Sequence, residues 1–237
     1  MYLSVIIPAY NEETRIKKTL QEINHYLSNK EFPSEIIVVN DGSSDKTLQV
    51  AENLDISNLK IVNLPENKGK GYAVRQGMMQ ALGKYRLFTD ADNSTPIKEI
   101  EILLPYLENG YDLVIGSRGI KGANVKKRQP LYRLALGKLY KVLTQLSIGL
   151  SDFSDTQCGF KVLSNKAAND ILPKCLINGW SFDPEILVIA KKFNYKIKEI
   201  PVTWVDQGKT KMRIDSMAKS IVELMKIRYS LLSGKYD

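Results

Sequence analysis

Two carboxylates one residue apart, Asp90 and Asp92, follow the apolar pair at 87–88 and precede Thr95-Pro96, which suits a helix cap and first turn. They therefore lie where a strand passes into a helix. Mg²⁺ and Mn²⁺ prefer hard oxygen ligands, and Mg²⁺ commonly takes one or two protein carboxylates and completes its shell with water and phosphate oxygens. The spacing indicates a metal-diphosphate site, although an isolated Asp-x-Asp is more often a turn.

The elements around the two aspartates favour the metal-diphosphate interpretation. Buried-strand patterns recur at 3–7, 35–40, 59–62, 86–89 and 113–117, and helical patterns separate most of them. This alternation predicts an α/β fold with an open, doubly wound, mostly parallel sheet and flanking helices, whose ligands bind beyond the carboxyl ends of the strands. We expect the polar segments that follow the strands to converge on one crevice.

The second half of the chain departs from this alternation. Apolar residues at 131, 135, 139, 142, 146 and 150 lie on one face of a predicted helix, with Arg133, Lys138 and Lys141 opposite. The helix either covers the core or turns its basic side towards a membrane surface. Residues 197–205 are typical of a strand, with Pro201 favouring an edge position, and a helix over 216–232 completes a small C-terminal strand-helix extension.

The composition limits the classes of protein. With 237 residues, 43% hydrophobic and 25% charged, we expect one globular domain. No apolar run reaches the roughly 18 residues of a membrane span and no signal peptide is present, so we expect a cytoplasmic protein. The net charge of +8 equals the excess in the acid-free stretch 118–151, which contains eight basic residues. Such a block suits a solvated face, nucleic acid, or anionic lipid and phosphate.

Seven short motifs stand in order along the chain: VIIPAYNE (5–12), VNDGSSDKT (39–47), NKGKG (67–71), DAD (90–92), GSR (116–118), DTQCGFK (155–161) and WSFDPE (180–185). Taken together, these motifs resemble the family 2 glycosyltransferases of GT-A fold, and within them the dolichyl-phosphate glucosyl- and mannosyltransferases. The resemblance spans nearly the whole chain, and the segments at 180–183 and 202–204 are more similar to the glucosyl branch.

The resemblance implies roles for particular residues. Residues 1–117 form the nucleotide-sugar-binding half and residues 118–237 the acceptor-binding and lid half of a single domain. Asp92 and Asp90 hold Mg²⁺ or Mn²⁺, while Asp92, Asp155 and Lys211 act in catalysis. Lys211 lies in the predicted lid 206–213, and Lys70 is either a phosphate contact or a solvated loop residue. Further nucleotide-sugar contacts are Pro8, Tyr10, Glu12, Asp41, Ala91 and Arg118, and the acceptor-phosphate contacts are Arg128 and Arg133.

The predicted function is that of an inverting glycosyltransferase that moves a hexose, with glucose from UDP-glucose favoured, onto a polyprenyl (dolichyl-type) phosphate. A phosphate acceptor is ionised at pH 7 and needs no base, whereas a hydroxyl acceptor would need a carboxylate such as Asp155 or Asp183. The alternatives are mannosyl transfer from GDP-mannose, a hydroxyl acceptor and, less favoured, a sugar nucleotidyltransferase.

The predicted partners are the nucleotide sugar, the lipid phosphate and the anionic cytoplasmic face of a membrane, which the chain binds peripherally. Nucleic acid is not expected, because no nucleic-acid motif accompanies the basic block and the crevice is acidic. The oligomeric state is left open.

Overall fold

A central seven-stranded sheet organises the chain. The computed structural model describes residues 1–126, 131–208 and 214–237, with side chains placed outside 131–136, 138 and 214–217. The strands are β1 (Leu3–Ala9), β2 (Ser34–Asp41), β3 (Leu59–Leu64), β4 (Tyr85–Thr89), β5 (Leu113–Ser117), β6 (Asn124–Lys126), β7 (Phe160–Ser164), β8 (Ile197–Pro201) and β9 (Thr203–Val205). The α-helices are α1 (Ile16–Ser28), α2 (Thr47–Glu52), α3 (Lys70–Met79), α4 (Ile100–Glu108), α5 (Leu131–Ile148), α6 (Asn165–Ile171), α7 (Phe182–Lys192) and α8 (Ile214–Leu232).

The sheet has the order β3-β2-β1-β4-β7-β5-β8 and is parallel except at β7. This confirms the predicted α/β, doubly wound, mostly parallel sheet. The strand series was expected to close with β5, but β7 lies between β4 and β5 and runs antiparallel to both. Thr89 pairs with Phe160, so the residues before β7 emerge at the same edge of the sheet as those after β4.

The predicted strand 197–205 divides into two. β8 lies at the edge of the main sheet, as Pro201 indicated, whereas β9 pairs in parallel with β6 in a separate two-stranded sheet. The break falls at Val202, whose N–H donates to Ser117 O at 3.1 Å while the preceding Pro201 has no N–H for the ladder. The chain leaves the main sheet at that point.

Helices cover both faces of the sheet, which explains why β1, β4 and β5 are buried along their whole length. Alternate strand residues such as Ile6 and Phe88 belong to one apolar layer with residues of α3, α6, α7 and α8. The intervening residues, such as Val5 and Leu87, pack against α1 and α4. The two apolar layers fix the strand ends that carry the polar residues.

Three residues of the apolar stripe predicted on α5 face solvent and not the core. Tyr140 and Ile148 are buried against the core, whereas Leu139, Val142 and Leu146 are exposed. The expectation that this stripe marks the covered face is therefore wrong for these three residues. In the part of the chain that the structure describes, no helix combines the length and apolar character needed to cross a bilayer.

Candidate active site

Polar side chains gather at the carboxyl edge of the sheet, beyond β1, β2, β4 and β5 and ahead of the reversed β7. Parallel strands deliver the residues that follow them to one edge, and the antiparallel β7 adds the residues that precede it. The crevice thus combines Asp90 and Asp92 with Arg118, Asp155 and their neighbours, as the sequence predicted in outline.

Asp90 is held between a lysine and a glycine. Lys70 Nζ, on the first residue of α3, lies 2.5 Å from Asp90 Oδ1. A Cβ added at Gly159 would lie only 2.1 Å from Asp90 Oδ2, so any larger residue there would displace the Asp90 carboxylate. Burial lowers the pKa of Lys70, but Asp90, Asp183 and Asp92 outweigh it and raise the pKa overall. Lys70 therefore stays a cation at the centre of the site.

Lys70 also lies among aromatic rings. Its Nζ is 5.4 Å from the centroid of Trp180 and 5.7 Å from those of Phe88 and Phe182. Ring faces attract a cation and exclude water from it, which strengthens the interaction of Lys70 with anions.

Asp92 is partly exposed and faces an arginine. Its side chain is 28% exposed, its Oδ1 accepts a hydrogen bond from Ser94 N at 2.9 Å, and Arg15 Nη1 lies 3.8 Å from its Oδ2. Arg15 in turn binds Glu12 Oε2 through Nη2 at 2.7 Å. Glu12, predicted to contact the nucleoside, thus holds an arginine that faces Asp92.

Arg118 and Asp155 form a bidentate ion pair. Arg118 Nε and Nη2 lie 2.6 and 2.9 Å from the Asp155 oxygens, and Arg118 N donates to Oδ2 at 3.0 Å. Burial raises the pKa of Asp155, but Arg118 outweighs it and lowers the pKa to about 2. Glu199 on β8 accepts from the backbone N–H groups of 154 and 155 and fixes this loop. Asp155 therefore positions Arg118 and is a weak base at neutral pH.

A second ion pair, between Lys161 and Asp183, is buried. Lys161 Nζ contacts an oxygen of Asp183 and donates to Cys158 O at 2.6 Å, and Lys161 is 0% exposed. Burial raises the pKa of Asp183, and although Lys161 and Lys70 lower it, the net shift is upward. The pair joins β7 to the start of α7.

The other predicted donor contacts lie at the same edge. Asp41 is buried, and its two oxygens accept from Lys68 N at 2.8 Å and Gly69 N at 2.9 Å, which holds the loop that ends in Lys70. Tyr10 is 40% exposed at the rim. Pro8 is buried in β1, and Ala91 is buried with its carbonyl accepting from Thr19 Oγ1 at 2.7 Å. The nucleotide-sugar roles of these residues stay predictions.

The side chains of three predicted residues lie outside the part of the chain that the structure describes. Lys211 and Arg128 lie outside the described residues, and Arg133 lies in α5 with a side chain outside the described part. Their roles in catalysis and acceptor binding stay predictions.

The residues present fit a hard divalent cation. Asp90 and Asp92 supply carboxylate oxygens on the open side of the crevice, and this donor set suits Mg²⁺ or Mn²⁺. Within the described ranges, no group of three or more His, Cys, Asp or Glu side chains forms a closed metal cage. The rest of the shell would therefore come from water and a diphosphate.

Sequence reasoning missed part of the site. Lys161 and Gly159 stood inside a motif without a role, and Arg15 and Glu199 were not considered. The signal for Gly159 was its place directly before a strand, where a glycine marks close approach of another group. Arg15 and Glu199 carried no local signal, because their function depends on partners far away in the chain.

Known proteins of two kinds resemble the chain. Among solved structures, glucosyl-3-phosphoglycerate synthase from Mycobacterium tuberculosis, in a complex with Mn²⁺ and UDP-glucose, has a TM-score of 0.69 at 19% identity and covers 96% of this chain and 78% of its own. Mannosyl-3-phosphoglycerate synthase from Rubrobacter xylanophilus has a TM-score of 0.72 at 17% identity, covering 99% and 75%. The fold is therefore that of the GT-A glycosyltransferases.

Sequence comparison gives the narrower class. A dolichyl-phosphate beta-glucosyltransferase of Trichomonas vaginalis is 38% identical over 99% of this chain and 73% of that protein. Those of Saccharomyces cerevisiae and Homo sapiens are 34% and 31% identical, over 100% and 99% of this chain and 77% of each relative. The model of glycosyl transferase family 2 matches residues 4–172. This chain belongs to that family and is a glycosyltransferase.

Proposed function

We propose that this glycosyltransferase moves glucose from UDP-glucose to a dolichyl-type polyprenyl phosphate. The observation that carries the proposal is the acidic pair at the end of β4, with Lys70 on Asp90 and Arg15 beside Asp92, in a chain whose relatives are dolichyl-phosphate beta-glucosyltransferases. These relatives favour glucose over the mannosyl alternative. Membership of family 2 favours glycosyl transfer over nucleotidyl transfer.

In the proposed reaction a phosphate oxygen of the acceptor attacks the anomeric carbon as the bond from that carbon to the UDP oxygen breaks. The glucose of UDP-glucose is α-linked and the relatives are named for a beta product, so one displacement with inversion accounts for the stereochemistry. The acceptor phosphate is largely ionised at pH 7, and no side chain has to remove a proton. This agrees with an Asp155 whose pKa is about 2.

The leaving diphosphate gains negative charge as the bond breaks. Lys70 and Arg118 lie in the crevice as cations that counter this charge. The aromatic rings around Lys70 exclude water and so strengthen its electrostatic interaction with the diphosphate. Asp92 and Asp90 would hold Mg²⁺ or Mn²⁺, which when bound acts as a Lewis acid on the diphosphate oxygens. We propose that Lys211, in the segment 206–213, adds a further positive charge when that segment closes.

The division of labour along the chain is part of the proposal. Residues 1–117 bind the donor and residues 118–237 the acceptor, with Arg128 and Arg133 at the acceptor phosphate. The two parts share one sheet, because β7 of the second part lies between β4 and β5 of the first. Peripheral contact of the basic segment with an anionic, cytoplasmic membrane face would bring the acceptor to the crevice.

The donor and the metal can be tested together by melting temperature. UDP with Mn²⁺ or Mg²⁺ is expected to raise the Tm more than GDP does, because a ligand that binds only the folded state stabilises it. In Asp92→Asn the metal-dependent part of the UDP shift and nucleotide-sugar turnover are expected to vanish while the Tm without ligand stays near wild type, since Asp92 is partly exposed. Full activity of wild type in excess chelator would contradict the metal role.

A further inference from the structure

The paired helices α5 and α8 expose two apolar stripes. On α5 the exposed residues follow one face at 139, 142 and 146, and on α8 they follow one face at 222, 225, 229 and 232. Leu146 is 76% exposed and Leu232 is 79% exposed, so most of each of these two side chains contacts solvent. We call these residues the apolar face: Leu139, Val142, Leu146, Val222, Met225, Tyr229 and Leu232.

The two stripes lie side by side. Arg228 Nη1 of α8 donates to Ser147 O of α5 at 3.2 Å, which marks the seam between the helices. Leu146 adjoins Ser147, while Met225 and Leu232 lie one turn before and one turn after Arg228, on the same side of α8. Leu146, Met225 and Leu232 therefore lie beside the seam, so the two stripes are on neighbouring parts of the surface. An exposed apolar patch of this extent on a folded protein marks a binding surface.

The charges around the apolar face favour one partner. The described side chains of α5 and α8 include basic residues with access to solvent, namely Lys141, Lys219, Lys226 and Arg228. The acidic Glu223 of α8 turns inward, where Oε2 accepts from Ser181 N at 2.9 Å. An apolar stripe flanked by cations, with no outward carboxylate among these side chains, is the pattern of a helix lying in the interface of an anionic bilayer.

The inner side of the same helix pair reaches the active site. Tyr140 OH and Ser181 Oγ are 2.9 Å apart, and Ser181 Oγ donates to Ser220 O at 3.0 Å. Ser181 lies two residues before Asp183, the partner of Lys161. A surface that docks on the outer side of α5 and α8 is thus fixed relative to the crevice.

We propose that the apolar face is a membrane-docking surface, whose apolar side chains enter the headgroup region of an anionic bilayer while the flanking cations meet the lipid phosphates. The choice of a bilayer over another partner rests on the lipid acceptor of the proposed function. The inference also differs from the sequence expectation, because the apolar side of α5 rather than its basic side enters the membrane.

Vesicle flotation tests the proposal. Purified full chain is mixed with vesicles of phosphatidylcholine containing about one third phosphatidylserine, at low and at high salt. Wild type is expected to float at low salt and to keep a measurable bound fraction at high salt, because apolar insertion is not screened. The variant Leu146→Gln/Leu232→Gln is expected to bind at least about tenfold more weakly, since two large apolar side chains are lost from the interface.

The matched control is Leu82→Gln, because Leu82 is 74% exposed but lies outside α5 and α8. It is expected to bind vesicles as wild type does. Equal binding by wild type and the double variant would overturn the proposal. So would a lipid-free dimer, seen by light scattering, that the double variant converts to monomer, because the face would then serve a second copy of the chain.

A soluble acceptor separates this proposal from the proposed function. With a short-chain alkyl phosphate in solution, the double variant is expected to transfer glucose at the wild-type rate, whereas with vesicle-borne polyprenyl phosphate it is expected to be at least about tenfold slower. Transfer to the short acceptor without vesicle binding would overturn the docking surface alone. Vesicle binding that depends on Leu146 and Leu232, without transfer to either acceptor, would support the docking surface and contradict the function.

Discussion

At the scale of single residues, the site is a set of carboxylates whose charges are balanced by cations. Asp90 contacts Lys70, Asp92 faces Arg15, and Asp155 holds Arg118. A donor diphosphate carries its own negative charge, and these cations would lie close to it. Among these cations we expect Lys70 to contribute most to diphosphate binding, because it is 17% exposed and lies next to both Asp90 and the aromatic rings.

Replacement of Lys70 by Met tests its role. We expect kcat/KM to fall by about 100- to 1000-fold, the usual effect of removing one fixed group that stabilises transition-state charge. The control is Lys68→Met in the same loop, because Lys68 is 40% exposed and its ion pair is with Glu66 at 3.4 Å. If steady-state kinetics gave Lys70→Met and Lys68→Met similar activities near wild type, Lys70 would have no part in the reaction.

Asp155 gives a prediction with a defined pH dependence. Its pKa falls from 3.8 to about 2, so its ionised form stabilises the folded state by about 2 kcal/mol above pH 4, and this stabilisation is lost as the pH falls from about 4 towards 2. In urea unfolding, Asp155→Asn is expected to be less stable at pH 7, and the gap to wild type should narrow below pH 4.

Transfer to a lipid phosphate is expected to persist in Asp155→Asn, because that acceptor needs no base. Loss of all activity, with the fold and the UDP affinity retained, would give Asp155 a direct chemical role. A gap in stability that stayed constant from pH 7 to pH 2 would contradict the depressed pKa.

At the scale of elements, the site depends on the reversed strand β7. It brings Gly159 against Asp90 and carries Lys161 to Asp183 at the start of α7. A buried ion pair need not add net stability, but loss of one partner leaves a charge without compensation. Lys161 and Asp183 therefore fix how β7 and α7 meet behind the active site.

Substitution of this pair tests that link. We expect Lys161→Met to lower the free energy of unfolding by roughly 3–5 kcal/mol, because Asp183 is then left buried without its partner. The double variant Lys161→Met/Asp183→Leu is expected to regain a large part of the loss. Denaturant unfolding measures both, and a double variant less stable than Lys161→Met would show that Asp183 stabilises the fold without Lys161, which would contradict the expected rescue.

The sequence predicted the parallel strands of the sheet but not the antiparallel strand β7 among them. The β-branched runs before Pro8 and Asp41 mark strands buried on both faces, so β1, β2 and the crevice at their ends followed from local pattern. The position of β7 did not, because Phe160–Ser164 looks locally like any buried strand and its direction is decided by pairing with β4 and β5. Propensity carries no information about such a pairing.

The site shows the same limit. Asp90 and Asp92 were predicted from their spacing after a strand, whereas the contact of Lys70 with Asp90 joins residues from two different strand-helix units. For that reason the sequence alone did not decide whether Lys70 contacts a phosphate or is a solvated loop residue. The exposure of Leu139, Val142 and Leu146 was missed because periodicity identifies an apolar face but not what it faces.

At the scale of the whole molecule, charge and apolar surface are proposed to act together at the membrane. The chain carries a net charge of +8, and the stretch 118–151 lacks acidic residues. Each Lys or Arg near an anionic surface contributes on the order of 1 kcal/mol, screened over roughly 10 Å at 0.1 M salt. The basic segment would thus attract the protein to the bilayer, and the apolar face would hold it there.

The electrostatic contribution to membrane binding can be removed separately from the apolar one. Replacement of Lys126, Lys127 and Arg128 by Gln is expected to reduce pelleting with anionic vesicles at low salt, and to leave the salt-resistant fraction nearly unchanged. Sedimentation at several salt concentrations checks this. Wild type that stays in the supernatant at low salt would instead point to a soluble acceptor or to a membrane-bound partner subunit.

The central claim is tested most directly by analysis of the product. Purified chain is incubated with Mn²⁺, a polyprenyl phosphate in detergent, and either UDP-glucose or GDP-mannose, and the lipid is examined by mass spectrometry and by NMR of the anomeric proton. The account predicts a β-linked glucosyl phosphate lipid from UDP-glucose, formed with stoichiometric release of UDP, and far less product from GDP-mannose. Preferred transfer from GDP-mannose, an α-linked product, or hydrolysis of UDP-glucose without a lipid product would contradict it.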